Sequence, residues 1–281
     1  MKTFANNLRT GLLMFVLTGL ILGAGYWIGG QQGLIYALIV AGITNFIGFF
    51  FSDKIALATM GAEEVGPDHR LYRIVERLAS RAGLPLPRVY VSPQMAPNAF
   101  ATGRGPSSAA VCATQGLLRV LDEREVEGVM AHELAHVRHR DILIQSVAAT
   151  IAGAITVLGY MLMWGGGRRD DERSGGNPLL ALLFLILGPI AAGIIQAAIS
   201  RQREYAADTR GGEICGDPMK LASALDKIHH LSKQIPMHVN PAFNSLFIAE
   251  PLSAMEGIGN LFSTHPPLEK RLLNLIGREY L

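Results

Sequence analysis

Apolar positions along this chain follow two regimes. Over residues 11–30, 34–51, 142–164 and 178–199 they run on without a single charge, and each stretch is near the ~20 residues that carry a helix across ~30 Å of hydrocarbon. Elsewhere they are periodic. Leu71, Ile74, Val75 and Leu78 keep a 3.6-residue period and predict an amphipathic helix, and β-like runs at Arg88 to Ser92, Asn98 to Thr102 and Ala109 to Thr114 lie between Pro-, Gly- and Ser-containing turns. Asp122 stands as an N-cap with Glu125 three residues on, and Val126, Val129, Met130 and Leu134 recur at helical spacing, predicting a helix from Glu123 to about Arg140. Asp217 and Pro218 open another, through about Lys233, and Pro266 or Pro267 opens a last one carrying Leu268, Leu272, Leu273 and Ile276. No internal repeat interrupts this order. The class expected is α+β, mainly α, with about four membrane-associated hydrophobic helices.

Four regions follow from the alternation. They are a hydrophobic hairpin over 1–51, a soluble part over 52–141, a second hydrophobic hairpin over 142–200, and a closing region of helices over 201–281. Composition agrees with a membrane setting: 49% of the 281 residues are hydrophobic and 17% charged. The first stretch resembles a signal peptide behind Lys2 and Arg9, yet it is long, and a second span follows after Gln31-Gln32-Gly33, so it reads as an anchor. Lys2 and Arg9 before it and Lys54 after the second span place both ends of the hairpin in the cytoplasm, and the soluble part with them.

The chemistry lies in His132-Glu133-Leu134-Ala135-His136. Two imidazoles at i and i+4 share one helical face and can reach one cation, with a carboxylate beside the first to take a proton from bound water. Zinc sites that activate water use three protein ligands, so a third must come from elsewhere. His139 lies about 10 Å along the helix axis from His132, too far to share the ion. Glu204, in Ser200-Arg201-Gln202-Arg203-Glu204-Tyr205-Ala206-Ala207-Asp208, is the downstream candidate, and Asp208 at i+4 is spaced to accept the free N–H of a ligating histidine. Taken without that neighbour, Glu204 and Asp208 would read as a solvated face salted with Arg201 and Arg203.

Meeting at one ion constrains topology. Between His136 and Glu204 the chain crosses the membrane an even number of times, either as a spanning hairpin or as segments that dip in and return. Three arginines in the connection, Arg168, Arg169 and Arg173, argue against placing it outside. Both candidate ligands lie close to segment ends, which puts the centre beside the membrane face.

Together, His132 to His136, Ser200 to Asp208, Asn98-Ala99-Phe100-Ala101 and His265-Pro266-Pro267 resemble the HtpX membrane metalloproteases, relatives of the type I CAAX prenyl proteases, over nearly the whole chain. The resemblance implies a zincin-like soluble part, His132, His136 and Glu204 as ligands of one zinc ion per chain, and Glu133 as catalytic base. It further implies a bacterial inner-membrane enzyme of stress-linked quality control, acting on unfolded or membrane-embedded polypeptides. Asn98 to Ala101 is then an edge strand that pairs with substrate backbone, although on residues alone it is an ordinary strand. His265 becomes a donor to the tetrahedral oxyanion, where otherwise a histidine before two prolines is a turn or capping residue.

The remaining features narrow the alternatives. A net charge of +2 with no basic tract does not suit nucleic acid, and arginines near the spans suit anionic headgroups of the bilayer. Cys112 and Cys215 read as buried apolar residues. His69, His229, His230 and His238 lack partners at ligand spacing and read as surface residues. A polytopic transporter predicts ionisable residues at mid-membrane, and the four segments contain none. A non-catalytic membrane chaperone with a structural zinc site is disfavoured by the retention of Glu133.

Overall fold

The computed structural model of the protein describes residues 2–150, 201–232, 248 and 266–277. The fold is mainly helical around a small sheet. Most of the second hydrophobic pair, from residue 151 to residue 200, lies outside the described residues, as do His238 and His265.

The N-terminal helix α1, Lys2–Thr59, is two helices joined at Gly29 and Gly30, where Gly30 takes φ 56°. Glycine adopts that left-handed conformation without a Cβ penalty, so the chain reverses there, ahead of the Gln31-Gln32-Gly33 turn that the sequence suggests. The two arms lie side by side. Asn45 Nδ2 donates to Thr18 Oγ1 at 2.7 Å, and a Cβ on Gly25 would stand 2.3 Å from Ala37 Cβ and 2.6 Å from the Gly33 carbonyl oxygen. Only glycine admits that approach. Leu38, Ile39, Ile43, Phe46 and Ile47 stay exposed, the reverse of a soluble helix. Among the described residues one helix, Gly29–Thr59, is long and apolar enough to cross a membrane, and Thr10–Gly23 is shorter.

The second arm runs past Phe51 into the sheet layer. Four strands, β1 (Glu63–Glu64), β2 (Arg88–Ser92), β3 (Ala99–Thr102) and β4 (Ala110–Thr114), assemble in the order β1-β2-β4-β3. The β2/β4 pair is parallel and the two outer pairs antiparallel, with Ala99 opposite Ala113 and Thr102 opposite Ala110. Alternate residues face opposite layers. Val89, Ala99, Ala101, Val111 and Ala113 turn to the main core, while Phe100, Ala110 and Cys112 pack on Ala56, Leu57, Met60 and Ala149. The sheet thus separates the end of the hydrophobic hairpin from the helices that carry the chemistry.

Those helices are α2 (Arg70–Ala82), α3 (Gln115–Val120), α4 (Glu123–His139), α5 (Arg201–Cys215), α6 (Pro218–Ser232) and α7 (Leu268–Ile276). Helix α4 is the axis of the core. Its start is the capping box that the sequence predicts: Asp122 Oδ1 accepts from Glu125 N at 2.9 Å and Glu125 Oε2 from Asp122 N at 3.0 Å. Such a cap contributes about 1 kcal/mol, and burial of Met130 and Leu134 on its core face about 1.5–3 kcal/mol each. Two glycines set the spacing around α4. A Cβ on Gly128 would meet Leu221 N at 2.5 Å, and one on Gly211 would meet His132 N and Cα at 3.0 Å, so α6 and α5 lie directly against it.

One expectation needs correction. His69 is not a plain surface residue: half-buried, it is the N-cap of α2, and its Nδ1 accepts from Leu71 N at 3.1 Å. In α7, of the apolar positions expected on that helix, Leu272 is buried and Leu268 and Ile276 are half-buried, while Leu273 is exposed and Arg271 is buried beside Leu272. The helix wraps its inward face around a charge.

Candidate metal centre

His132 and His136 point the same way from the middle of α4, and Glu204, in the first turn of α5, faces them. All three are buried, and one ligand atom from each lies within 4.8 Å of the others. The separations are 3.2 Å between the two Nε2 atoms, 3.8 Å from His132 Nε2 to Glu204 Oε2, and 3.5 Å from His136 Nε2 to Glu204 Oε1. Bonds of about 2.0–2.1 Å at tetrahedral angles give ligand-to-ligand edges of roughly 3.3 Å, so the triangle has the size a zinc ion needs.

Donor chemistry makes the same point. His132 Nδ1 lies 2.9 Å from Asp208 Oδ1 and His136 Nδ1 lies 3.4 Å from Asp141 Oδ2. With a carboxylate beside each Nδ1, a proton placed on that nitrogen leaves a lone pair on Nε2, and the two Nε2 atoms face each other and a further carboxylate. Three acceptors facing one point call for a cation there.

Electrostatics divides the two rings. Burial lowers His132 to about 4, against the pull of Asp208, and keeps it neutral. Burial acts on His136 in the same sense, but the charges of Glu204, Asp141 and Glu133 outweigh it and carry the ring up to about 9. A field that favours a proton at His136 Nε2 favours a metal cation in the same place. Burial would raise Asp208, yet Arg271 holds it down to about 2, so it stays a carboxylate able to accept from His132.

Arg271 is the residue that the sequence reading missed. From α7 it donates through Nε to Asp208 Oδ2 at 2.9 Å and through NH2 to Oδ1 at 2.6 Å, a two-pronged grip that a lysine could not make. Its NH1 reaches the Ile248 carbonyl oxygen at 3.1 Å. Asp141 was missed as well. Both signals were present in the sequence: a basic residue beside the apolar positions of a short helix, and an acid five residues beyond the second histidine.

Of the other expected residues, Glu133 is buried on α4 between the two histidines. Asn98 precedes β3, and Ala99, Phe100 and Ala101 belong to it, at the edge of the sheet. Ile248 N donates to the Ala99 carbonyl at 3.2 Å and to Asn98 Oδ1 at 3.1 Å, so this edge already pairs with main chain. His139 is half-buried at the end of α4, outside the triangle, while Cys112 and Cys215 are free and buried.

Comparison with known proteins matches residues 66–279 to peptidase family M48. A Protease HtpX homolog from Desulforapulum autotrophicum is 51% identical over 276 residues, covering 96% of this chain and 89% of that one. Another from Nostoc punctiforme is 49% identical over 281 residues, covering 98% and 96%. The crystal structure of S. mikatae Ste24p aligns with a TM-score of 0.49 at 19% identity, over 98% of this chain and 66% of that one.

Proposed function

The chain belongs to peptidase family M48 as a membrane metalloprotease of the HtpX type, and from that premise we propose that His132, His136 and Glu204 hold one zinc ion per chain. The observation that carries this reading is the buried triangle of two Nε2 atoms and one carboxylate, each nitrogen backed by a carboxylate on the far side of its ring. Zinc bound there supplies a Lewis acid for the scissile carbonyl and lowers the pKa of a coordinated water toward ~7.

The chain's own groups do the rest. Glu133 accepts the proton of the attacking water and delivers it to the nitrogen of the leaving amine, one carboxylate serving as base and then as acid. Asp208 and Asp141 hold the two imidazoles in the tautomer that keeps Nε2 free. Substrate lies extended along the outer edge of β3 beside Asn98 to Ala101, its backbone taking the place that the Ile248 amide holds on the Ala99 carbonyl, which leaves side-chain preference loose. His265 donates to the developing oxyanion.

The substrates of this reading are misfolded or damaged membrane proteins, and the setting is the bacterial inner membrane with the catalytic side toward the cytoplasm. Support comes from the apolar hairpin packed against the sheet and from Lys2, Arg9 and Lys54 flanking it. The test uses purified, zinc-loaded protein in detergent, wild type against Glu133→Ala, with an unfolded polypeptide as substrate. Cleavage by wild type and its loss in the variant are expected. Cleavage that persists in the variant removes this site from the mechanism. In vesicles, a destabilised membrane protein should be cut faster than its folded parent, and equal rates contradict the quality-control role.

A further inference from the structure

The end of α4 carries a corner that the ligand set does not explain. Among the described residues Arg140 is the one non-glycine with positive φ, at 58°. Backbone held in the left-handed region against a Cβ persists only where the surroundings over-determine it, and such positions cluster at functional sites. Here the corner turns the chain back on itself: Arg140 N donates to the Val137 carbonyl at 3.1 Å and Asp141 N to the His136 carbonyl at 3.0 Å.

The reversal brings the Asp141 side chain under the helix it has just left. Oδ2 lies 3.4 Å from His136 Nδ1, and Oδ1 lies 3.7 Å from Arg203 NH1, on the residue before Glu204. Asp141 is 2% exposed, and its carboxylate lies between the two helices that carry the triangle, against His136 of α4 and Arg203 of α5. Its own carbonyl accepts from Gln145 N at 3.2 Å, so the helix over residues 142–150, which begins the third hydrophobic segment, starts from the same residue.

We propose that Asp141 is a positioning residue for His136: it fixes the ring with Nδ1 protonated and Nε2 aimed at His132 and Glu204, and through Arg203 it ties that ring to the helix bearing Glu204. This rests on His136 being a metal ligand. The strained corner is what delivers the carboxylate. A second use of Asp141, capping the helix over residues 142–150, makes a different prediction about substitutions. Serine and asparagine both cap helices, but only asparagine has the length to offer an oxygen to His136 Nδ1.

The experiment compares full-length wild type, Asp141→Asn, Asp141→Ser and His136→Ala in detergent. It reads zinc affinity by chelator competition and the d–d spectrum after cobalt substitution. Loss of an outer partner of a ligating histidine costs metal affinity by about 10–100-fold. Asp141→Ser is expected to fall by that factor with a shifted cobalt spectrum, and Asp141→Asn to keep most of the affinity and the wild-type spectrum. Equal binding by the serine and asparagine variants overturns the proposal in favour of a capping role. If His136→Ala binds metal as tightly as wild type, the ligand assignment itself fails, and the proposal with it. Arg140→Gly, which relaxes the corner without touching the carboxylate, should bind metal as wild type does, and a loss there counts against the carboxylate as the cause.

Discussion

The two histidines of the centre are held in different ways. Asp208 reaches His132 at 2.9 Å from another helix and is gripped from a third by Arg271, all of it buried. Asp141 reaches His136 at 3.4 Å from five residues along the same chain, after one tight turn. The first arm is a product of tertiary assembly and cannot form until α4, α5 and α7 have docked. The second is local and comes with the end of α4. A site built this way has one histidine whose orientation reports on the whole fold and another whose orientation reports on the start of the third hydrophobic segment.

The largest consequence concerns charge. Asp208→Ala leaves the Arg271 guanidinium buried without its partner, and breaking a buried pair from one side costs about 3–5 kcal/mol. Asp141→Ala removes a hydrogen bond to an imidazole and a longer contact to Arg203, worth about 1.5–3 kcal/mol. Denaturant unfolding of the two variants should rank them in that order, and the double variant Asp208→Asn/Arg271→Met should recover part of the loss. Equal destabilisation would erase the distinction between the arms.

Next in size are the glycines that bring the helices together. Gly128→Ala drives a Cβ to 2.5 Å from Leu221 N, backbone that cannot swing away, whereas Gly211→Ala meets His132 backbone at 3.0 Å. Overpacking of this kind costs about 1–3 kcal/mol, with Gly128→Ala at the upper end. Only Gly211→Ala displaces α5 from the metal helix, so zinc affinity should drop in that variant and hold in Gly128→Ala. Affinity that falls equally in both would mean the two contacts are not separable.

Much of this was legible in the sequence because it is local. Asp122 and Glu125 announce the start of α4, β-like runs between Pro-, Gly- and Ser-containing turns mark β2, β3 and β4 to within a residue, and Leu71, Ile74, Val75 and Leu78 give the buried face of α2. The i, i+4 histidines follow from helix geometry and call for a third donor, whereas Glu204 was a downstream candidate that the resemblance to the HtpX proteases singled out. Arg271 escaped because a buried arginine reads as a solvated one until its carboxylate, 63 residues away, is seen beside it. Asp141 escaped for a different reason. It looked like the last polar residue before an apolar stretch, and periodicity says nothing about a left-handed corner at Arg140.

The smallest effect lies far from either arm, at the start of α2. Burial lowers the pKa of His69 below 6.5, Arg70 and Arg73 push the same way, and the neutral ring so favoured is the form that accepts the Leu71 N–H. A histidine with a depressed folded pKa gives stability that is complete above the unfolded value and fades as pH falls through it toward the folded one. Thermal stability should therefore drop slightly more between pH 7.5 and 5.5 in wild type than in His69→Asn, whose cap does not titrate. Identical slopes would remove His69 from the capping account.

The account depends most on α4 and α5 contributing to a single cation. Equilibrium zinc titration of the intact protein in detergent, wild type against Glu204→Gln, tests it directly. One zinc per wild-type chain is predicted, with affinity in the variant lower by about 100-fold or more, at or beyond the upper limit of what outer partners of a ligand command. A Glu204→Gln protein that binds zinc with wild-type stoichiometry and affinity would contradict it.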